Sequence, residues 1–465
     1  MKVCLIVEGA YPYVVGGVSV WVHQLIQHLP HIRFVLWTIS AESGLPHKYK
    51  LPSNVVELKE IALDKKLRFQ SRRPFVQKIW KQIQGFHRQM DEGQFNQFHH
   101  FIHHFLKHNP DRIPLENIFK DYEGWELIKE MYSKHHPISP FVQYYWTWRA
   151  THIPLFKLLQ ADIPDADLYH AVSTGYAGFL GAIAKIHTGR PFILTEHGIY
   201  AKEREMEINQ SGQYQGYQKK MWKHLFFGLS KISYEYADLI IALFQKNQRL
   251  QIKLGAPPER CHVIPNGVQV EAFLRIKPQP HDTFNVGFIG RMVPIKDVKT
   301  FVLAARMVAD ALPNARFYLI GPQDERSDYV RELHILIDNL GLSECITFTG
   351  KVDVKAYFPL LDVLCLTSVK EAQPLSIIEA MLAGVPVVAT RVGDVEDILQ
   401  HHGIVVPPKR PDKLAEGIIR FARDPEFRRS CIEKGRERAY STYNLKDLIQ
   451  RYAEIYQDFG KREAA

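Results

Sequence analysis

Three short segments of this sequence hold residue types able to grip a phosphate-bearing ligand. In Gly290-Arg291-Met292-Val293-Pro294-Ile295-Lys296, two cations stand five residues apart on a loop that leads into a helical pattern. Arginine offers a forked set of donors and lysine a compact charge, the usual means of holding a diphosphate. In SVKEAQPLSIIE, residues 368–379, Glu371 and Glu379 bracket a helix start near Pro374, a residue favoured at the first helical position. The N–H groups of Leu375 and Ser376 then lie at a helix N-terminus, where unpaired donors and the helix dipole stabilise an anion. Glu371 is placed to reach a sugar hydroxyl and Glu379 a ribose. In Arg391-Val392-Gly393-Asp394-Val395-Glu396, Gly393 permits close backbone approach to a ligand. Taken singly, each segment also reads as ordinary structure: a solvated loop, a capping acid, a tight turn.

The first half of the chain adds fewer candidates. Gly16-Gly17 precede a helical pattern and can offer backbone N–H groups to a phosphate or an acceptor. They do not form G-x-G-x-x-G, and no acidic residue is placed for a dinucleotide ribose. His197, in Glu196-His197-Gly198, follows a strand-like apolar run and is either a site residue or a structural one. His99, His100, His103, His104 and His108 include i,i+4 pairs that suit zinc on a helix, but a third ligand type is missing. A solvated, amphipathic helix or a docking surface is the other reading of that stretch. The expectation is no bound metal and no cofactor.

These residues are useful only if strands and helices bring them together. KVCLIV at 2–7 is a continuous apolar run, as a strand buried on both faces requires. A glycine-containing loop and an apolar helical pattern follow it, opening a strand–loop–helix unit. RFVLWTI at 33–39, LYHAV at 168–172, PFILT at 191–195 and ADLIIAL at 237–243 continue the strands. Between about 64 and 150 the rhythm breaks into a Phe-, His-, Trp- and Lys-rich stretch, read as a helical insertion. RIKPQPHDT at 275–283 is polar with two prolines and reads as a linker. Strands at 284–289, 315–321, 344–350, 362–368 and 385–390 then alternate with helical patterns up to a helical tail from about 411. Such alternation predicts parallel sheets covered by helices on both faces. In open sheets of this kind ligands bind at the carboxyl ends of the strands, where all the segments above are placed.

The bulk numbers agree with two domains: 465 residues, 46% hydrophobic and 23% charged. A net charge of +9 favours anionic partners such as nucleotides. No zinc-finger, RNP or helix-turn-helix signature points to nucleic acid, and no nucleic-acid partner is expected. Five scattered cysteines without C-x-x-C spacing suit a reducing compartment. The short apolar run at the N-terminus and the lack of an eighteen-residue apolar stretch predict a soluble, cytoplasmic protein, brought to a membrane only by a partner.

Taken in order, the Gly-Gly loop, the mid-domain histidine, VIPNGV before the linker, G-R-x4-K and the E-x7-E pair Glu371/Glu379 resemble the retaining GT-B glycosyltransferases of family 4. EGAYPYVVGGVSVWVHQLI and LTEHGIYAKEREMEI are similar to the cytosolic glycosyltransferases of Pel exopolysaccharide systems. Here the acid pair reads EAQPLSIIEAM; the family more often has glycine where Ala372 or Gln373 stands. The resemblance implies an α/β GT-B fold of two Rossmann-like domains, with parallel sheets facing a central cleft. An acceptor domain would span 1–274, a donor domain 275–445 and a C-terminal helix 446–465. It implies transfer of a hexose or N-acetylhexosamine from a UDP-sugar, with UDP as product, to a glycan acceptor alongside an inner-membrane synthase complex, without metal and with retention.

Residue by residue, the resemblance assigns Arg291 and Lys296 to the diphosphate, Glu371 to the donor sugar and Glu379 to the ribose. Leu375, Ser376 and the Gly290 loop would go to the phosphates, His197 to the side of the reacting sugar, and Gly16 and Gly17 to a closing loop. A non-catalytic nucleotide-sugar-binding subunit and a GT-B epimerase are the alternatives.

Overall fold

The computed structural model describes residues 1–64, 81, 84–85, 98–103, 122–135, 138–323 and 327–462. Two compact units divide the chain, Met1–Ile264 with Tyr452–Ala465, and Pro265–Arg451.

Among the described residues the first unit carries a parallel sheet of seven strands in the order β3-β2-β1-β4-β5-β6-β7. They are β1 (Lys2–Glu8), β2 (Arg33–Ser40), β3 (Val55–Ala62), β4 (Leu168–Ala171), β5 (Phe192–Glu196), β6 (Leu239–Ala242) and β7 (Cys261–Val263). The second unit has six, in the order β10-β9-β8-β11-β12-β13. These are β8 (Phe284–Ile289), β9 (Ala315–Ile320), β10 (Ile346–Gly350), β11 (Val363–Leu366), β12 (Val387–Thr390) and β13 (Ile404–Val406). Every pairing is parallel. This is the two-domain α/β architecture expected of the GT-B class.

Parallel strands need crossovers, and helices supply them on both faces, which is why the central strands are apolar throughout. In β1, Val3 to Val7 are all buried, as are Val363 to Leu366 in β11. Each sheet reverses its strand order once. β1 pairs with both β2 and β4, and β8 with both β9 and β11. The crevice beside such a reversal is the usual ligand seat.

The expected domain boundary at 274/275 differs from the observed one at Ile264/Pro265. Val268 bridges Asn444, and Val270 and Phe273 pack into the second core, so this segment joins the second unit before the proline-rich stretch begins. The C-terminal helix, Leu445–Arg462, is not a separate piece either. From Tyr452 onward it belongs to the first unit, where Tyr452 and Tyr456 are fully buried. Of the insertion expected at 64–150, the described parts are chiefly the helices Phe98–His103, Tyr122–His135 and the start of Phe141–Leu159. In the histidine stretch, His99 is exposed on the first of these helices; the side chains of His100, His103, His104 and His108 lie outside the described residues. Among the described residues no three His, Cys, Asp or Glu cluster as a metal site would require. No described helix is long and apolar enough to cross a membrane.

Candidate active site

In the second unit the reversal between β8 and β11 gathers most of the predicted residues. The loop after β8 runs Gly290–Lys296 and ends in a 3-10 turn, Pro294–Lys296. Gly290 N–H donates to the Ile320 carbonyl at 2.9 Å, which holds the loop against β9. The loop after β11 carries Glu371. Val369 N–H donates to the Ile295 carbonyl at 2.9 Å, and the Thr367 hydroxyl donates to the Lys296 carbonyl at 2.8 Å, so the two loops are laced together. Lys296 then ion-pairs with Glu371, whose Oε1 also accepts from the Ser368 hydroxyl at 2.6 Å. Both charged side chains are mostly buried, 21% and 14% exposed. Lys296 is thus balanced within the chain by Glu371. Arg291 is exposed.

The helix after β11 spans Leu375–Ala383, with Pro374 at its N-cap rather than inside the first turn as expected. Leu375 and Ser376 are its first two residues, so their N–H groups have no acceptor within the helix. Glu379 sits one turn further along. Burial pushes its carboxyl up to about 7, with Lys355 pulling the other way.

Gly393 serves a different neighbour from the one expected. Its φ is +52°, and a Cβ there would stand 2.3 Å from the Ala372 carbonyl oxygen and 2.4 Å from that of Glu371. The close approach seen is to the loop bearing Glu371. Asp394 N–H adds a 3.0 Å bond to the Ala372 carbonyl. Gln373, where the family often has glycine, braces the same loop. Its Oε1 accepts from Asn266 N–H at 2.7 Å and its Nε2 donates to Asp394 Oδ2 at 3.2 Å. The spacing of residues gave no sign of this brace; only the departure from the family pattern marked Gln373.

Burial, helped by Asp397, pushes the Asp394 carboxyl from 3.8 up to about 8 against the bond from Gln373. A raised acid holds its proton in the folded state after the unfolded chain has lost it. Its contribution is thus fully present below about pH 4 and falls away as pH rises through about 8. Asp394→Asn is expected to flatten this part of the stability profile. Urea unfolding of both proteins from pH 5 to 9 checks it; parallel profiles would refute the assignment.

The first unit has the same reversal but a different occupant. Glu8, the last residue of β1, accepts from the N–H groups of Tyr176 and Ala177 at 2.7 and 3.4 Å, at the start of the helix Tyr176–Thr188. The Tyr200 hydroxyl donates to its other oxygen at 2.6 Å. This carboxylate fills the place an anion would take at that helix mouth. In the second sheet the equivalent position is Ile289: it faces Ile320 as Glu8 faces Ile39, and in each case the next N–H bonds that partner's carbonyl. The helix Leu375–Ala383 is therefore not plugged by the strand beside it. Of these two helix mouths, the one in the second unit has no acceptor on its first two N–H groups among the described residues, which leaves donors of the kind a phosphate takes.

His197 follows β5 and touches the Trp21 indole, ring centroids 4.8 Å apart. Its Nε2 is buried with no hydrogen-bond partner. Burial lowers its pKa to about 4, so the imidazole is neutral at pH 7. The preceding Glu196 is fully buried and accepts from Thr174, Tyr234, Gln251 and the Tyr200 N–H, which fixes the turn that presents His197. Gly16 and Gly17 open the helix Gly17–His28, and a Cβ at either would meet nothing within 4 Å. Among the described residues nothing requires glycine there.

Residues 1–259 match a family described as Domain of unknown function (DUF3492), and residues 283–424 match Glycosyl transferases group 1. An uncharacterized glycosyltransferase of Methanocaldococcus jannaschii is 30% identical over 242 residues, 48% of this chain and 61% of its own. The N-acetyl-alpha-D-glucosaminyl L-malate synthase of Bacillus anthracis is 30% identical over 168 residues, 35% and 42% of the two chains. The chain thus spans less than two thirds of either relative. Among solved structures, the sucrose-phosphate synthase of Thermosynechococcus elongatus superposes with a TM-score of 0.62 at 18% identity, covering 98% of each chain. Anabaena HepE in complex with UDP-glucose gives 0.61 at 19% identity, over 98% of this chain and 100% of HepE. At such identities these two likenesses speak for the fold.

Proposed function

Because the chain belongs to the DUF3492 family over its first unit and carries a glycosyl transferases group 1 domain in its second, we propose that it transfers a hexose or N-acetylhexosamine from a UDP-sugar to a growing polysaccharide. The observation that carries this reading is the Lys296–Glu371 pair beside the open N-terminus of Leu375–Ala383, at the strand-order reversal of the second sheet. HepE, of similar fold, has been solved with UDP-glucose.

In this reading the diphosphate lies against Lys296, Arg291, the Gly290 loop and the N–H groups of Leu375 and Ser376. As the bond to the sugar breaks, negative charge collects on the departing UDP. A cation and helix donors already in position stabilise it without reorganising water. Glu371 holds the donor sugar and orients Lys296. Glu379 takes the ribose hydroxyls. In the first unit, neutral His197 offers a ring nitrogen to the sugar, and the Gly16-Gly17 loop leaves room for the donor.

Transfer proceeds with retention and without a metal, the cations doing that work. The resemblance of EGAYPYVVGGVSVWVHQLI to PelF supports a Pel-like exopolysaccharide acceptor and a cytoplasmic enzyme working with an inner-membrane synthase complex. The test is incubation with UDP-glucose, UDP-GlcNAc and UDP-GalNAc, with and without glycan acceptor and in EDTA. Release of UDP coupled to glycan growth is expected from one of them. No turnover of any, or abolition by EDTA, would overturn the corresponding part.

A second expectation concerns pH. If Glu379 accepts ribose hydroxyls, its ionised form binds better, and the group titrates near 7. UDP affinity should therefore rise from pH 6 to 8 more steeply in the wild type than in Glu379→Gln. The variant should bind about tenfold more weakly at pH 8, as loss of one charged hydrogen bond implies. Calorimetric titration of both proteins checks this, since the nucleotide's own ionisation is common to them. Parallel curves would remove Glu379 from the ribose.

A further inference from the structure

By its spacing Trp21 is one more apolar residue on the helix Gly17–His28, but its neighbours are not those of an ordinary core position. The indole is 4% exposed, and its Nε1 is buried without a hydrogen-bond partner. It meets three rings edge-on: His197 at 4.8 Å, Tyr452 at 5.3 Å and His170 at 6.0 Å between centroids. Behind it runs a chain of hydrogen bonds. Tyr456 Oη lies 2.7 Å from His170 Nδ1, His170 Nε2 lies 2.8 Å from Thr195 Oγ1, and Thr195 Oγ1 lies 3.0 Å from Tyr452 Oη. Both tyrosines come from the C-terminal helix, and His170 stacks on Tyr452 at 20°. All four residues of this chain are fully buried.

Burying polar groups costs free energy unless they are paired, and each of these four residues has a partner in the network. The indole packs on its rings without joining its hydrogen bonds. The indole is thus backed by a bonded network, and the unpaired Trp21 Nε1 and His197 Nε2 belong to two rings in contact.

We propose that Trp21 is a positioning residue for His197: wedged by Tyr452 and the His170–Thr195 bonds, it fixes the orientation of that imidazole and keeps water from it. This rests on the reading that His197 works beside the reacting sugar. Trp21 touches His197 from its helix, His170 on β4 and Tyr452 on the C-terminal helix pack against that same indole, and the Glu203 carboxylate lies against the neighbouring Gly198. His170 is itself held neutral by burial, with a pKa near 3.

The experiment uses the full chain with histidine-selective carbon labelling, His197 being assigned through His197→Gln. In Trp21→Ala the His197 titration midpoint is expected to move from about 4 toward 6 as water enters. The kcat should fall 10- to 100-fold, while the Kd for UDP, a ligand of the second unit, stays within twofold. Trp21→Phe, which keeps a ring in the wedge, should recover kcat to within fivefold of wild type. Should Trp21→Ala not fold, Tyr452→Phe removes only the hydroxyl that bonds Thr195, with an expected three- to tenfold loss in kcat at unchanged UDP affinity. Wild-type kcat with an unmoved His197 titration in either variant overturns the proposal. So does an equal loss of UDP binding, which is the mark of general damage. Full turnover in His197→Ala would instead sink the role of His197 in transfer, while the titration still reports what Trp21 holds.

Discussion

Lys296→Ala is expected to lower turnover of the UDP-sugar by about 10²–10³-fold, with little change in thermal stability. The lysine is a partly buried cation balanced by Glu371, so in the resting protein its charge is spent on its partner. Two features nevertheless make it more important to transfer than to folding. The negative charge that develops on the leaving diphosphate is larger than the ground state's, so an adjacent cation stabilises the transition state preferentially. Removing it also leaves Glu371 unbalanced against the phosphates, with the Ser368 hydroxyl as its remaining partner among the described residues. The loss therefore contains a repulsive part that depends on Glu371.

It follows that Lys296→Ala with Glu371→Gln should be less impaired than the product of the two single losses. A coupling of about 1–3 kcal/mol is the size seen for residues in direct contact. Steady-state kinetics on the four proteins measures it. Turnover within twofold of wild type in Lys296→Ala would remove the cation from the reaction, and strict multiplicativity would remove the pair.

Gly393→Ala is expected to damage both activity and stability, though the residue touches no proposed substrate atom. The backbone at +52° already costs a side-chain-bearing residue about 1–2 kcal/mol. The added methyl would also sit 2.3–2.4 Å from two carbonyl oxygens, Ala372's and Glu371's, which must then retreat. Backbone cannot yield as a flexible side chain does. The loop would drag Glu371 from Lys296 and break the 3.0 Å bond from Asp394 N–H. A destabilisation of about 2–4 kcal/mol is expected, with turnover reduced at least tenfold. Chemical denaturation and donor turnover, measured on the same preparation, check it. Unchanged stability would mean that the loop at 371–374 moves aside freely and is not the fixed platform described above.

The fold was readable in the sequence wherever strands are central. LIV-type runs such as KVCLIV and DVLCLTS lie in sheet interiors, and their apolar continuity is forced by helices on both faces. β3 escaped notice because it is an edge strand: Glu57, Lys59 and Glu60 in VVELKEIA break the pattern that a covered strand must keep. β7 and β13 are three residues long, too short for any periodicity.

At the site, strand ends and glycines located the loops, so Gly290–Lys296 and Ser368–Glu379 were found. What the loops do to one another was not legible. The Lys296–Glu371 pair joins residues 75 positions apart, Gly393 reaches back to Ala372, and Gln373 reaches Asn266 across 107 residues. Local spacing carries no record of such closures. The Glu8 plug was hidden for the opposite reason: one acid at the end of an apolar run looks like the strand's solvated edge until the helix it caps is placed beside it.

The return of the C-terminal helix to the first unit has a consequence for how the protein is made. A ribosome releases Met1–Ile264 long before it adds Tyr452 and Tyr456, yet those two rings fill positions of zero exposure beside His170 and Trp21. Domains emerging from synthesis generally fold in order, N-terminal first. Here the earlier-born lobe has to wait, with a slot unfilled behind its Gly-Gly helix, until the segment carrying Tyr452 and Tyr456 arrives to close it.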